Sequence, residues 1–418
     1  MHLEAPPLAL YLHFPWCVSK CPYCDFNSHA LHGELPQQAY LEALLADVDA
    51  QRRALGRDAE ADDGPGAGAA DRPIRSLFLG GGTPSLFEPS AIGRLLEDLR
   101  SRLTIDQSAE ITLEANPGTI ERGRFADYRG AGITRVSLGA QSFEPAMLRR
   151  LGRIHSNAET RTAAEELHAA GLANFNLDLM YALPGQTLAG ALADVRAAIE
   201  LRPAHISHYQ LTLEPGTVFG GRPPAGLPTD DLAWEMQQRC QAELAAGGYR
   251  QYETSAYARA GAQCAHNLNY WRFGDYLGVG AGAHGKLTRA AAASAGATSS
   301  TVTRTVRERE PRRYLARGHQ GTPALKSVTS EELPFEFMMN ALRLVDGFEE
   351  ALFESRTGLP WDTVAPRMDR LAARGLVAAT RETTHIEGAG GRHWRPTELG
   401  QRFLNDLIGE FLPSPTDA

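Results

Sequence analysis

The chain has no run approaching 18 apolar residues, so nothing in its 418 residues reads as a membrane-spanning helix. The opening stretch MHLEAPPLALYLHFP has no basic segment and no small-residue cleavage site, so no secretory leader is expected. Basic charge is not in excess. Lys and Arg number 42 against 50 Asp and Glu, a net charge of −8, which argues against a general nucleic-acid or anionic-membrane surface. Cysteine is sparse and odd in number: there are five, three of them crowded into eight residues. Disulfide scaffolds do not look like this, and a reducing, cytoplasmic setting is expected. What remains is ordinary globular composition, 43% hydrophobic and 22% charged. That length suits two to three domains, or one large barrel with an appendage.

Short β-rich runs recur at 8–14, 74–80, 109–115, 133–140, 174–181 and 205–213. Between them lie stretches with helical spacing. QQAYLEALLADVDAQRRAL (37–55) puts Leu41, Leu44, Leu45 and Val48 on one face. PSAIGRLLEDLRSRL suggests a helix capped by Ser90, and NAETRTAAEELHAAG suggests one ending at Gly171. Strand and helix alternating about six times imply parallel β/α units. Six are too few for a closed eight-fold barrel but suit a partial one, open at the side. Segments 57–73 and 288–304 are rich in Ala, Gly and Ser and are expected to be surface inserts. From about 323 amphipathic helices predominate. The expected division is a barrel core at 1–240, a flanking segment at 241–322 and a mostly helical C-terminal domain at 323–418.

The three crowded cysteines are Cys17, Cys21 and Cys24, spaced C-x3-C-x2-C. A structural zinc site needs four ligands, and His29 could supply the fourth, but zinc sites usually present two separated pairs. An iron–sulfur cluster suits three thiolates when one iron is left open to a small molecule. In β/α barrels chemistry sits at the C-terminal strand ends. Here those ends read GGGTPS (80–85), EANP with Glu114 and Asn116, LGAQSF with Gln141, then Asp178 and Gln210. The glycines permit close approach to a ligand, but without G-x-G-x-x-G spacing or a Lys-Ser/Thr pair they do not imply nucleotide phosphate. Asp178 lies in an apolar run, where an unpaired carboxylate is costly to bury.

C-x3-C-x2-C directly after a first strand resembles the radical S-adenosylmethionine (SAM) superfamily. The resemblance implies a partial (β/α)6 TIM-like barrel and a [4Fe–4S] cluster whose open iron binds SAM. It narrows to the coproporphyrinogen III oxidase-like branch through LYLHFPWC, GGGTPS, EANP, SLGAQSF, LGRIH, DLMYALPGQT, YQLTLEPGT and HNLNYW, over roughly residues 8–290. It carries Tyr11, Gly81, Gly82, Thr83, Glu114, Gln141, Arg153 and Asp178 to SAM-binding positions.

The oxidase has a fourth cysteine two after the third and an extension before the barrel. This chain has Phe26 at that position and 16 residues before Cys17. It therefore resembles the haem-chaperone sister group, which implies haem as ligand and membrane-bound respiratory apoproteins as recipients. His266, in HNLNYW, is a candidate axial ligand with Tyr270 and Trp271 as an aromatic wall; Cys264 and His284 are others. There is no C-x-x-C-H, so covalent c-type attachment is not indicated. Cys240 reads as core. Porphyrinogen oxidation, or radical chemistry on another substrate, are the alternatives. No nucleic-acid partner and no membrane span are expected; peripheral membrane contact and either a monomer or a homodimer fit the resemblance.

Overall fold

The structure is a computed structural model and describes residues 5–60, 72–118, 123–289, 301–317, 324–381 and 392–413. Its centre is a run of parallel strands: β1 (Leu8–Phe14), β2 (Ile74–Gly81), β3 (Ile105–Ala115), β4 (Arg135–Gln141), β5 (Phe175–Tyr181) and β6 (His205–Gln210). Each pairs in parallel with the next in chain order. Strand β1 (LALYLHF) is a near-continuous apolar run, as expected of parallel strands buried on both faces, whereas β4 (RVSLGAQ), β5 (FNLDLMY) and β6 (HISHYQ) interleave polar residues that face the barrel interior. In β4 every residue is buried.

Helices α1 (Gln37–Glu60), α2 (Pro89–Arg102), α3 (Phe125–Gly130), α4 (Pro145–Arg150), α5 (Asn157–Ala169) and α6 (Leu188–Glu200) form the crossovers. In α2 the apolar face is Ile92, Leu95, Leu96 and Leu99, all buried. Truncating one of these leucines would cost about 2–5 kcal/mol through lost transfer energy and a residual cavity. Pro89, not Ser90, begins this helix, and Glu88 occupies the cap position without a side-chain bond. The fixed φ of proline suits the first helical residue, so it displaces the expected serine cap. In α5 the reciprocal Ser156–Glu159 capping box sets the start, and Gly171 (φ +72°) lies just past the end.

The sheet does not stop at six strands. Strand β8 (Asp275–Val279) pairs in parallel with the free side of β1. From it β9 (His284–Arg289), β10 (Thr301–Val306) and β11 (Ala324–Val328) extend antiparallel, while β7 (Ala256–Ala258) adds antiparallel to β6. The fold is thus the expected partial barrel with an antiparallel wing. At its described ends, 288–289 and 301–304, the segment expected to be a surface insert belongs to these wing strands. Residues 290–300 lie outside the described ones, but Thr301–Val306 is a strand because β-branched Thr and Val dominate it. Most of the insert at 57–73 likewise lies outside the described residues. A further helix, α7 (Asp230–Ala246), buries Cys240 completely against the main core.

A second core is built from Phe337, Met338, Phe353, Met368, Leu371, Trp394 and Leu407. Phe273, Val302 and Val328 of the wing side join it. Helices dominate this region, but it also holds a three-stranded sheet of Phe348–Glu349, Val377–Arg381 and Arg392–Pro396. Those strands are two to five residues long, too short to leave a clear alternating pattern. Among the described residues no helix is long and apolar enough to cross a membrane.

Candidate functional site

The C-terminal ends of the parallel strands open onto a cavity of about 390 Å³. Cys17, Cys21 and Cys24 all line it, together with Gly81, Gly82, Thr83, Glu114, Gln141, Arg153 and Asp178. These residues come from six segments spread over more than 160 positions, and the parallel topology brings them together.

The cysteine loop leaves β1 through Trp16–Cys17, which pairs with His29–Ala30. Its far end is fastened by Asn27. The Asn27 amide donates to Ala281 O (2.8 Å) and Arg309 O (2.9 Å), and the Asn27 carbonyl lies 2.9 Å from His13 Nε2. A Cβ on Gly282 would come within 2.3 Å of Asn27, so the glycine there is a requirement of this clamp. Lys20 Nζ donates to the carbonyls of Phe26 and Ser28, folding the loop back on itself.

Polar side chains run in a chain between two cysteines. The Thr83 hydroxyl bonds Cys17 and accepts from Asn116 Nδ2 at 3.0 Å. The Asn116 oxygen accepts from Arg153, whose other nitrogen lies 3.6 Å from Cys21 Sγ. Arg153 also donates to Gly139 O at 2.8 Å. The third thiol, Cys24, sits 3.6 Å from the Ser28 hydroxyl. Burial pushes the Cys17 and Cys24 thiols up from their ordinary range, a penalty that metal coordination would reverse, since a coordinating thiol is deprotonated. Among the described residues no group of three His, Cys, Asp or Glu could hold a metal ion.

The carboxylates occupy the cavity floor. Glu114 accepts the Gly81 amide at 2.8 Å. Desolvation, with the nearby charge of Asp178, raises its pKa to about 8, against the pull of that hydrogen bond. Asp178 is held by Asn176 Nδ2 (2.8 Å) and the Ser137 hydroxyl (3.1 Å), and burial raises its pKa too. It stands in mid-strand, not at the strand end where the sequence had placed it, so it points into the floor of the barrel. Arg135 lines the same floor, 3.9 Å from Glu110. Gln141 ends β4 with φ +65°, a strained conformation for a non-glycine, and accepts from the Tyr209 hydroxyl at 2.8 Å.

The glycines also answer to the protein's own packing. A Cβ on Gly81 would strike the His13 ring at 2.3 Å, and one on Gly82 would strike Trp16 O at 2.5 Å. Close packing of the protein against β1 already demands both, whatever they offer a ligand. Tyr11 is not among the residues lining the cavity. Its hydroxyl lies 3.0 Å from His13 Nδ1 and its ring stacks on Phe78, which does line it. Sequence reasoning named Asn116 only as a strand-end residue and did not single out Ser137, Asn176, Tyr209 or Arg135. Their signal was strand parity: 135, 137 and 139, like 176 and 178, face the cavity on alternate positions.

The three haem-ligand candidates are far apart in character. His266 is buried, its Nδ1 lies 3.1 Å from the Ser76 hydroxyl, and its Nε2 has no hydrogen-bond partner. Its ring stacks on Phe78 with centroids 5.1 Å apart and meets Tyr270 edge-on at 5.0 Å. Desolvation, reinforced by Arg135, lowers its pKa to about 3, so the ring is neutral. Cys264 is fully buried and donates to Glu110 Oε1 at 3.4 Å. His284 is exposed at the start of β9. Trp271 carries Arg343 over its ring at 4.8 Å.

Comparison with known proteins places this geometry. Residues 11–198 match the radical SAM superfamily, and residues 328–403 match the HemN C-terminal domain. The heme chaperone HemW of Escherichia coli is 46% identical over 98% of this chain and 99% of its own length. HemW of Haemophilus influenzae is 46% identical over 98% and 99%, and HemW of Bacillus subtilis 30% identical over 96% and 98%. Among solved structures, coproporphyrinogen III oxidase (HemN) from E. coli superposes with a TM-score of 0.74 at 21% identity, covering 97% of this chain and 90% of that one. At that identity the likeness is one of fold.

Proposed function

The chain belongs to the HemW family of radical SAM proteins, and from that premise we propose that it is a haem chaperone, binding haem and passing it to haem-requiring proteins. The observation that carries the reading is the full-length agreement with HemW proteins in a chain whose three cysteines share one cavity with Phe26 in place of a fourth. Superfamily membership implies a [4Fe–4S] cluster and SAM. In our reading Cys17, Cys21 and Cys24 hold the cluster. The Thr83–Asn116–Arg153 chain orients Cys17 and Cys21, and Ser28 supports Cys24. Glu114 and Asp178 would hold the cationic and hydroxyl groups of SAM, with Gln141, Thr83 and the main chain at Gly81 and Gly82 as the rest of the wall. Such a cluster, when bound, supplies an electron to the sulfonium of SAM; the residues around it orient the ligand and exclude water. Tyr11 acts in this arrangement by backing Phe78 rather than by touching the cavity.

For haem, His266 is the proposed axial ligand. Its ring is neutral and its Nε2 carries no competing bond, the form in which imidazole binds iron. Contact would require Phe78 to move aside. Recipients in the respiratory chain are the class we propose. The test is anaerobic incubation of the reconstituted protein with SAM, a reductant and coproporphyrinogen III. The reading expects no protoporphyrinogen; steady turnover would replace it with the oxidase reading.

A further inference from the structure

Three segments distant in sequence converge on Pro22, in the middle of the cysteine loop. Gly152 (φ +66°) lies so close that a Cβ there would meet Pro22 Cδ at 2.9 Å. The Phe219 amide donates to Pro22 O at 3.0 Å. The cysteine loop and residues 149–155 border the mouth of the cavity, and residues 211–219 pack beside them against Pro22. Each carries large apolar side chains that point into solvent. Val18 is 44% exposed, Phe26 59%, Ile154 70% and Val218 68%. Val18, Phe26 and Ile154 also line the cavity, and Leu213 adds a further exposed side chain on the third segment. The remaining exposed large apolar residues among those described are Leu325, Leu399, Phe403 and Leu412, none of them on these segments. Single exposed apolar residues need no explanation, but several on segments that meet at one opening mark a contact surface.

The charge at the mouth selects the occupant. The three segments hold exposed Lys20, Arg149 and Arg150 against Asp25 and Glu214, in a chain of net charge −8, while Arg153 turns inward to Asn116 and Cys21. Lys20 Nζ lies 3.2 Å from the carbonyl of Phe26 itself. An apolar platform with a cationic fringe suits a flat apolar molecule bearing carboxylates. The interior below is lined by polar groups already committed to the cysteines, to Glu114 and to Asp178, so a large apolar body fits at the rim rather than on the floor.

We propose that Val18, Phe26, Ile154 and Val218 seat the apolar body of a carboxylate-bearing porphyrin at the mouth of the cysteine cavity. This rests on the haem-chaperone reading but not on His266 as ligand: His266 bonds Ser76, five strand residues below Gly81 at the mouth, so the rim seat and His266 ligation are distinct haem positions, which the rim variants and His266→Ala separate. It also accounts for Phe26. At the position where the oxidase carries a cysteine, this chain presents a ring for the porphyrin to lie on.

The experiment is Soret-monitored haem titration of the cluster-reconstituted full chain and of Phe26→Ser, Ile154→Ser and Val218→Ser, with Leu325→Ser as an exposed apolar control elsewhere. Iron–sulfur absorption is recorded for each variant. Each rim variant is expected to bind haem about tenfold more weakly, with cluster absorption retained and the control unchanged. Haem dimethyl ester, with its carboxylates blocked, is expected to bind the parent more weakly than haem. Parent-like affinity in all three rim variants overturns the rim assignment while leaving the haem reading intact. Variants that keep haem affinity but fail to pass haem to an apo acceptor also overturn it, since the rim would then dock the recipient. A parent protein that gives no Soret band at all overturns both.

Discussion

Glu114→Gln isolates one buried charge. The side chain is partly buried, its open face turned into the cavity, and it titrates near 8 instead of its ordinary 4.5. At pH 7 the folded chain therefore holds a proton that the unfolded chain has lost. Each pH unit between the two values costs about 1.4 kcal/mol, so the full penalty at pH 7 would be about 3 kcal/mol. Water in the cavity screens part of it, leaving roughly 2 kcal/mol. The sign follows from proton counting. Between pH 4.5 and 8 the native state binds more protons, so stability falls as pH rises. Glutamine keeps an acceptor for the Gly81 amide without the ionisation. Urea unfolding of the cluster-free variant should match the parent near pH 4.5 and exceed it by roughly 2 kcal/mol at pH 7, the gap opening steadily between. SAM is the complementary arm. Its positive charge favours the ionised carboxylate, so parent affinity should rise with pH up to about 8, and the variant should lose both that rise and about tenfold in affinity. A stability gap independent of pH, or SAM binding that ignores pH in the parent, would refute the reasoning.

Other consequences are more quickly stated. Cys17→Ala, Cys21→Ala and Cys24→Ala should each abolish the broad iron–sulfur absorption after anaerobic reconstitution, and one zinc per chain persisting through that treatment would exclude the cluster. Asn27→Ala removes the bonds to Ala281 and Arg309, so cluster loading should drop and air loss accelerate while circular dichroism stays unchanged; unaltered loading would show that the clamp does not hold the loop. His266 is neutral with a pKa of about 3, so the Soret spectrum of the haem complex should not shift between pH 5 and 9, whereas His266→Ala should change it. A variant spectrum identical to the parent's would remove His266 as ligand.

Much of this was legible because β/α repetition writes itself plainly: β-rich runs alternate with helical spacing, and the strand ends carry polar residues. The cysteine triplet and EANP gave the site its position at the strand ends. The wing was less visible. Strand β8 lies between glycines and aromatics, in a segment read for its HNLNYW motif, and its partner in the sheet is the first strand, more than 260 residues earlier. Periodicity cannot report such pairing. Helix α2 starts at Pro89, with Glu88 at the cap, because local preference for Ser90 as cap yielded to a residue whose φ was already set for the first helical position. Tyr11 and His266 illustrate a different limit. Both sit in motifs that suggest ligand contact, yet Phe78 stands between them and the cavity, and no motif records which ring lies in front.

The most direct test of the central claim is haem transfer. Cluster-reconstituted protein is loaded with haem, freed of excess, and mixed with an apo haem protein of the respiratory class, with and without SAM. The account predicts a stoichiometric Soret complex whose haem moves to the acceptor, leaving the chain haem-free. A chain that binds no haem, or that holds it while the acceptor stays empty under every condition, would contradict it.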